Sequence, residues 1–341
     1  MWQIIGQDRA VLQLKRNLGT GTAARSYLFT GPPGIGKMTL ATSLAQALNC
    51  PSEEPPCGQC PSCQRIAARK HSDVEVIDLV SDSEGSRTEI GIDRVRRLQH
   101  DASLSPFEGD CRVFIVDGAE LLSTEAANCF LKTLEEPVDR VVFVLLAVDE
   151  EMLPATVVSR CQRLELKPAP AAVIEAYLID KLELQPPQAG LLARLSRGRP
   201  GWAITAAGDS ALLGQRTDRL ENLRAALEGD YEERFSYAAR LAAGFGRKRQ
   251  GVFDVLDLWI VFWHDLMLIR LGLKEAVTNT DIEAELARRA DGYSLEEIRD
   301  TINSILKTEQ GLRSNANARL ALELLMLQVP LGRGELEESY G

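Results

Sequence analysis

SYLFTGPPGIGKMTLATSLAQALNC (26–50) decides how the rest of this 341-residue chain is read. A short apolar run leads into a glycine-rich turn and then into an Ala/Leu-rich helical stretch, the order in which a phosphate-binding P-loop sits. Gly31, Gly34, Gly36 and Lys37 satisfy the pattern G-x-x-x-x-G-K, but Met38 stands where Ser or Thr belongs, with Thr39 following. Glycines let backbone N–H groups approach phosphate oxygens, the helix N-terminus adds positive dipole, and the lysine reaches the terminal phosphates. The hydroxyl at the position of Met38 is what would hold Mg²⁺. Thr39 does not replace it, because one helical step turns a side chain by roughly 100°. Phosphate cradling can survive this change; Mg²⁺-assisted hydrolysis is not expected to. A glycine turn without a ligand is the alternative.

A nucleotide hydrolase of this class also needs acids at the end of a neighbouring strand, one near Mg²⁺ and the next activating water. CRVFIVDGAELL (111–122) reads as a buried strand ending in Asp117, with Gly118 where the second acid belongs. TEAANCFLKTLEEP (124–137) then reads as a helix closed by Pro137. VVFVLLAV (141–148) is too short to cross a membrane and suits a central strand buried on both faces. Alternation of such strands with helices predicts a parallel sheet flanked by helices.

Four of the seven cysteines crowd together as C-x₆-C-x₂-C-x₂-C: Cys50, Cys57, Cys60 and Cys63. Thiolates so spaced, with Pro and Gly turning the chain between them, suit a closed tetrahedral structural Zn²⁺ site. Cys111, Cys129 and Cys161 are scattered and read as small buried hydrophobes. His71, His100 and His264 show no ligand spacing. In TVVSRCQRLEL (156–166), Arg160 follows a strand and turn at the edge of the α/β domain; composition alone makes it a solvated charge. GRKRQ (246–250) reads as a solvated loop.

With 49 acidic and 39 basic residues, a net charge of −10, the chain as a whole offers no basic field for gripping nucleic acid. The start of the chain shows no charged-then-apolar leader and no uncharged run reaches spanning length, so a cytoplasmic protein without membrane contact is expected. Beyond KPAPAA (167–172) strand signals nearly vanish. Residues 171–207 read as a small helical unit broken at RGRPGW, and everything from about 209 onward is helical. VFDVLDLWIVFWHDLMLIRLG (252–272) is interrupted by Asp257, His264 and Asp265, which makes Trp259 and Trp263 core residues rather than membrane anchors. No repeat or low-complexity tract is present.

Taken together, IIGQ (4–7), SYLFTGPPGIGK, the four-cysteine module, IGIDRVRRL (90–98), the run from Val113 to Pro137 and LPATVVSRC (153–161) resemble the bacterial DNA polymerase III clamp-loader family of AAA+ proteins. Within it, the resemblance is to the delta-prime type. It implies an AAA+ nucleotide-binding-like domain over residues 1–168 with the zinc module at 50–63, a helical lid over 169–207, and an all-helical collar for oligomerisation over 208–335. Motor siblings of the gamma/tau type carry GKT or GKS, D-E, a Thr after the sensor-1 strand and a lid Arg. This chain has Met38, Asp117-Gly118, Ala147-Val148-Asp149, and Gly201 near the lid position, while Ser159, Arg160 and Cys161 keep the family's S-R-C.

The resemblance therefore implies a ring member of the polymerase III holoenzyme without ATPase activity of its own, whose Arg160 acts as an arginine finger on a neighbouring subunit. Its implied nucleotide-site residues, in degenerate form, are Gly31, Gly34, Gly36, Lys37, Thr39 and Asp117. ATP or ADP binding stays open, and Mg²⁺ is not expected. Implied partners are motor and delta subunits in a hetero-pentamer, the sliding clamp, and primed DNA through the assembly. Arg94 and Arg96 would face that DNA or, as the favoured reading, solvent. The competing reading is an active gamma/tau-like motor in which Thr39 and Glu120 replace the lost groups.

Overall fold

The computed structural model describes residues 2–79, 89–136, 138–246 and 249–331. They form two compact units: the chain up to Ala189 together with Ser196–Ile204, and Gly190–Leu195 together with the chain from Thr205 onward.

The first unit runs α1 (Asp8–Gly19), β1 (Ser26–Thr30), α2 (Lys37–Leu48), α3 (Pro61–Ala67), β2 (Val74–Ile77), α4 (Ile92–Ala102), β3 (Arg112–Asp117), α5 (Thr124–Glu135), β4 (Val141–Ala147), α6 (Ala155–Val158), β5 (Gln162–Glu165) and α7 (Ala171–Leu182). The strands make one sheet in the order β2-β3-β4-β1-β5, and every pairing is parallel. The expected parallel α/β domain is thus present, with VVFVLLA as β4 at the centre of the sheet and buried throughout.

Successive strand side chains point to opposite faces, so each strand feeds two cores. Leu28, Phe114, Val116, Phe143 and Leu145 pack with Val95 and Leu98 of α4 and Phe130 of α5. Tyr27, Phe29, Ile115, Val144 and Leu146 pack on the other face with Leu14 of α1 and Leu40, Ala41 and Leu44 of α2. Each fully buried Leu or Phe contributes about 1.5–3 kcal/mol of transfer free energy. Helix starts are locally encoded: Ser123 accepts from the Ala126 N–H at the head of α5, and Gly36 precedes α2 at a φ of +109° that disfavours any side chain.

The helices α8 (Pro186–Leu195) and α9 (Pro200–Gly208) each have residues in both units. The second unit is otherwise built from α10 (Ser210–Glu228), α11 (Tyr231–Phe245), α12 (Arg249–Arg270), α13 (Glu283–Ala290), α14 (Leu295–Arg313) and α15 (Ala318–Gln328). Its core gathers Leu223, Trp259, Phe262, Trp263, Leu266, Ile305 and Leu325. Trp259 stacks on Tyr237 with ring centroids 6.1 Å apart, and Trp263 meets Tyr293 edge-on at 5.0 Å. Asp265 is buried because the backbone N–H groups of Thr278 and Asn279 donate to its carboxylate at 2.9 and 2.8 Å. Capping boxes start α11 (Asp230 with Glu233) and α14 (Ser294 with Glu297). Among the described residues no helix is long and apolar enough to cross a membrane. Pro137, Arg247, Lys248 and residues 332–335 lie outside the described residues; Arg249, at the end of the basic run, donates to the Leu312 carbonyl and lies 4.9 Å from the Phe245 ring centroid.

Candidate functional site

The turn between β1 and α2 closes over one side of a cavity of about 420 Å³ whose lining includes Gly34, Gly36, Lys37, Met38, Thr39, Asp117, Gly118 and Glu120. Gly31, Gly34 and Gly36 all take positive φ, +143°, +78° and +109°. A side chain at Gly31 would also strike the Leu166 carbonyl at 2.8 Å, so the loop needs glycine for space as well as for backbone freedom. The loop is braced from outside: the Gly31 N–H donates to the Val148 carbonyl at 3.2 Å, and the Gly201 N–H donates to the Gly34 carbonyl at 2.8 Å. Where the sequence suggested only that Gly201 lies near a lid arginine position, the geometry packs its backbone on the P-loop. A Cβ there would come within 2.9 Å of the Gly34 carbonyl.

Lys37 does not point into open space. Its ammonium donates to the Gly31 carbonyl and, at 3.3 Å, to that of Pro32. Burial holds its pKa below the ordinary lysine value, only partly offset by the carboxylates of Glu120 and Asp117. Burial likewise raises Asp117, against the pull of Lys37. Both directions say that desolvation here outweighs the attraction between lysine and acid. Met38 lines the cavity and also packs against the core under α2, while Thr39 is exposed at the rim. Gly118 sits at φ +77°, and Glu120, on the turn after it, keeps one buried carboxylate oxygen without a hydrogen-bond partner among the described residues.

The four-cysteine module follows α2 directly. The sulfurs of Cys50, Cys57, Cys60 and Cys63 all lie within 4.8 Å of one another. Tetrahedral zinc at ~2.3 Å from each sulfur sets sulfurs roughly 3.8 Å apart, so the set is compatible with a structural zinc site. Backbone N–H groups already point at the sulfurs, from Gln59 and Cys60 to Cys57 at 3.5 and 3.3 Å and from Cys63 to Cys60 at 3.4 Å. Those donors bring the Cys57 thiol down to about 6, while burial pushes Cys63 up to about 12. The module is tied to the P-loop helix by Gln46, which donates to the Cys63 carbonyl at 2.8 Å. It also touches a polar cluster at β2: Ser62 Oγ lies 3.1 Å from His71 Nε2, and Arg65 pairs with Glu108 at 2.7 Å.

Arg160 is not among the residues lining the P-loop cavity. The one-turn helix α6 separates it from the turn after β4, and it precedes β5. Its Nη1 donates to the Thr156 carbonyl at 2.8 Å and to Ser159 Oγ at 3.4 Å, and its Nε donates to Glu135 at 2.8 Å. Cys161 packs against the sheet core, and burial pushes its thiol up to about 12. Burial pushes Cys111 up to about 12 in the same way. Of the DNA-facing candidates, Arg96 is exposed and lies 3.8 Å from Asp93.

Two family models, both described as DNA polymerase III, delta subunit, match the chain: one over residues 6–170 and a C-terminal one over residues 211–330. The chain belongs to the DNA polymerase III clamp-loader family. Among relatives of this clamp-loader subunit, the DNA polymerase III subunit delta' of Bacillus subtilis is 25% identical, covering 96% of this chain and 97% of that protein. The subunit tau/gamma of Haemophilus influenzae is 26% identical over 95% of this chain but 48% of that protein. The subunit tau of Salmonella typhimurium is 34% identical over 48% of this chain and 25% of that protein. The chain spans 48% of the length of the Haemophilus influenzae tau/gamma and 60% of that of the Bacillus subtilis tau. A gamma-subunit-related structure from Thermotoga maritima is 21% identical, with 94% of this chain and 100% of that chain covered, at a TM-score of 0.46.

Three features escaped the sequence: the backbone bond from Gly201 to the P-loop, the Glu135 partner of Arg160, and Asp73 under the 107–109 loop. Asp73 accepts the N–H groups of Phe107, Glu108 and Gly109 at 2.7, 2.8 and 2.8 Å. None carries a local pattern, since each joins residues 25 or more positions apart.

Proposed function

We propose that this clamp-loader subunit is the delta-prime type: a ring member that does not hydrolyse ATP itself and presents Arg160 to the ATP site of a neighbouring motor subunit. The observation that carries the reading is the state of its own cavity. Lys37 is spent on the loop carbonyls of Gly31 and Pro32, Met38 occupies the hydroxyl position, and Gly118 occupies that of the second acid. Such a site lacks both the group that would hold Mg²⁺ and the base that would activate water. Arg160, by contrast, stands partly exposed outside that cavity on a turn fixed by backbone bonds. The near-complete mutual coverage with a delta' subunit supports the same branch.

In this reading residues 1–168 form the AAA+ domain with structural zinc on Cys50, Cys57, Cys60 and Cys63, residues 169–207 the lid, and residues 208–335 the collar. The collar joins motor and delta subunits in a cytoplasmic hetero-pentamer that places the sliding clamp on primed DNA. A gamma/tau-like motor is the second reading. Its support is that Thr39 and Glu120 line the same cavity as Lys37, with a carboxylate oxygen of Glu120 lacking a partner.

Steady-state ATP hydrolysis by the reconstituted loader, with clamp and primed DNA, separates the two. The delta-prime reading expects no turnover by the chain alone, none gained by Met38→Thr, and a loss of about 10³-fold or more at the site that Arg160→Ala deprives. Turnover by the isolated chain that Lys37→Ala removes would make it a motor.

A further inference from the structure

The guanidinium of Arg160 is held from two sides by acceptors of different kinds. Nη1 donates to the Thr156 carbonyl at 2.8 Å and to Ser159 Oγ at 3.4 Å, neutral groups of the turn that carries the arginine. Nε donates to Glu135 Oε1 at 2.8 Å, and Nη2 donates to the same oxygen. Nε and Nη2 form the edge with two parallel N–H groups that a carboxylate or phosphate takes in bidentate fashion. Glu135 is the last residue of α5, and its side chain is 48% exposed against 31% for Arg160.

We infer that Glu135 is a positioning residue for Arg160, an anionic placeholder that occupies the Nε/Nη2 edge until a phosphate on a neighbouring subunit displaces it. This rests on the reading of Arg160 as a finger acting in trans. One oxygen of Glu135 already takes both donors of the edge, and a second anion arriving there meets the carboxylate's repulsion. The exchange leaves the bond to Thr156 untouched, so the arginine keeps its aim while its charge is handed over. In the separate chain the pair neutralises a cation that would otherwise attract unrelated anions. In the ring it sets a threshold that the neighbour's nucleotide must exceed.

Hydrolysis by the reconstituted loader is measured at sub-saturating ATP for the native chain, Glu135→Gln, Arg160→Ala and the double variant, at low and high ionic strength. Glu135→Gln is expected to raise turnover about two- to five-fold, the range of a partly exposed ion pair. The gain should shrink as salt screens the pair, and should vanish in the Arg160→Ala background. Turnover unchanged or lowered by Glu135→Gln, in a loader that Arg160→Ala cripples, would overturn the placeholder and leave the finger standing. A gain that persists without Arg160 would overturn it too, by placing the effect elsewhere. Arg160→Ala with no effect would remove the reading beneath it.

Discussion

Asp73 shows how much one side chain can organise beside the cysteine module. Fully buried, it holds the loop at 107–109 by accepting its backbone N–H groups. Burial alone would raise its pKa, but those donors outweigh it and hold the carboxyl below the ordinary aspartate range. A group depressed in the folded state adds stability above its unfolded value, ~3.9, and that contribution is lost as pH falls through the folded value. Asp73→Asn keeps the size but presents N–H to N–H on one side. It is expected to cost about 2–4 kcal/mol in urea unfolding at neutral pH, with a smaller loss of stability on acidification than in the native chain. An unchanged midpoint, or an equally steep acid limb, would show that the loop is held by other groups. Arg160 stands at the opposite extreme of this scale, since its partner Glu135 is half exposed and the pair adds little to folding. What it changes is the availability of one edge of one guanidinium.

Elements join these residues into sites. The α2 helix carries the P-loop glycines at its start and Cys50 just past its end, so glycine-rich turn and cysteine module share one rod. Asn49, capping that end, accepts the Cys111 N–H at 3.0 Å and ties the module to the head of β3. A closed Cys₄ site would fix the loop 51–59, which has no helix or strand of its own. Metal analysis is expected to find about one zinc per chain, and Cys63→Ala to abolish it. Chelation should lower the thermal midpoint of the first unit by several degrees. Full stability after complete chelation would show the module to be held by its N–H···S bonds alone. The strand–loop–helix order was legible because glycine, lysine and apolar periodicity are local signals. That Lys37 bonds its own loop was not, because SYLFTGPPGIGK fixes the conformation but not the direction of a flexible side chain.

At the scale of the whole molecule, chain order and compact unit do not coincide. Gly190–Leu195 belongs with the second unit, where Arg194 donates to the Val277 carbonyl at 2.9 Å, although it precedes Ser196–Ile204 of the first. A cut after residue 208 therefore strands this segment, with buried Leu192 and Ala193, away from the elements it packs on. The truncated chain is expected to be absent from the reconstituted loader on gel filtration and to expose apolar surface to a hydrophobic dye. Its recovery in the assembled loader would contradict an assembly role for the helical second unit.

Sequence alone determined the parallel α/β architecture, the helical character of the remainder, the glycine-rich turn with Met38 and Gly118 off the P-loop pattern, and the four thiols spaced for a metal. All of these follow from residue type and short-range spacing, which fix backbone conformation within a few turns of chain. Only the tertiary structure decided which groups face one another. Gly201 on Gly34, Glu135 on Arg160 and Asp73 under the 107–109 loop are each made by separate elements brought together when the cores exclude water. Burial then gave them their energetic weight, because a donor removed from water must find an acceptor wherever the fold places one.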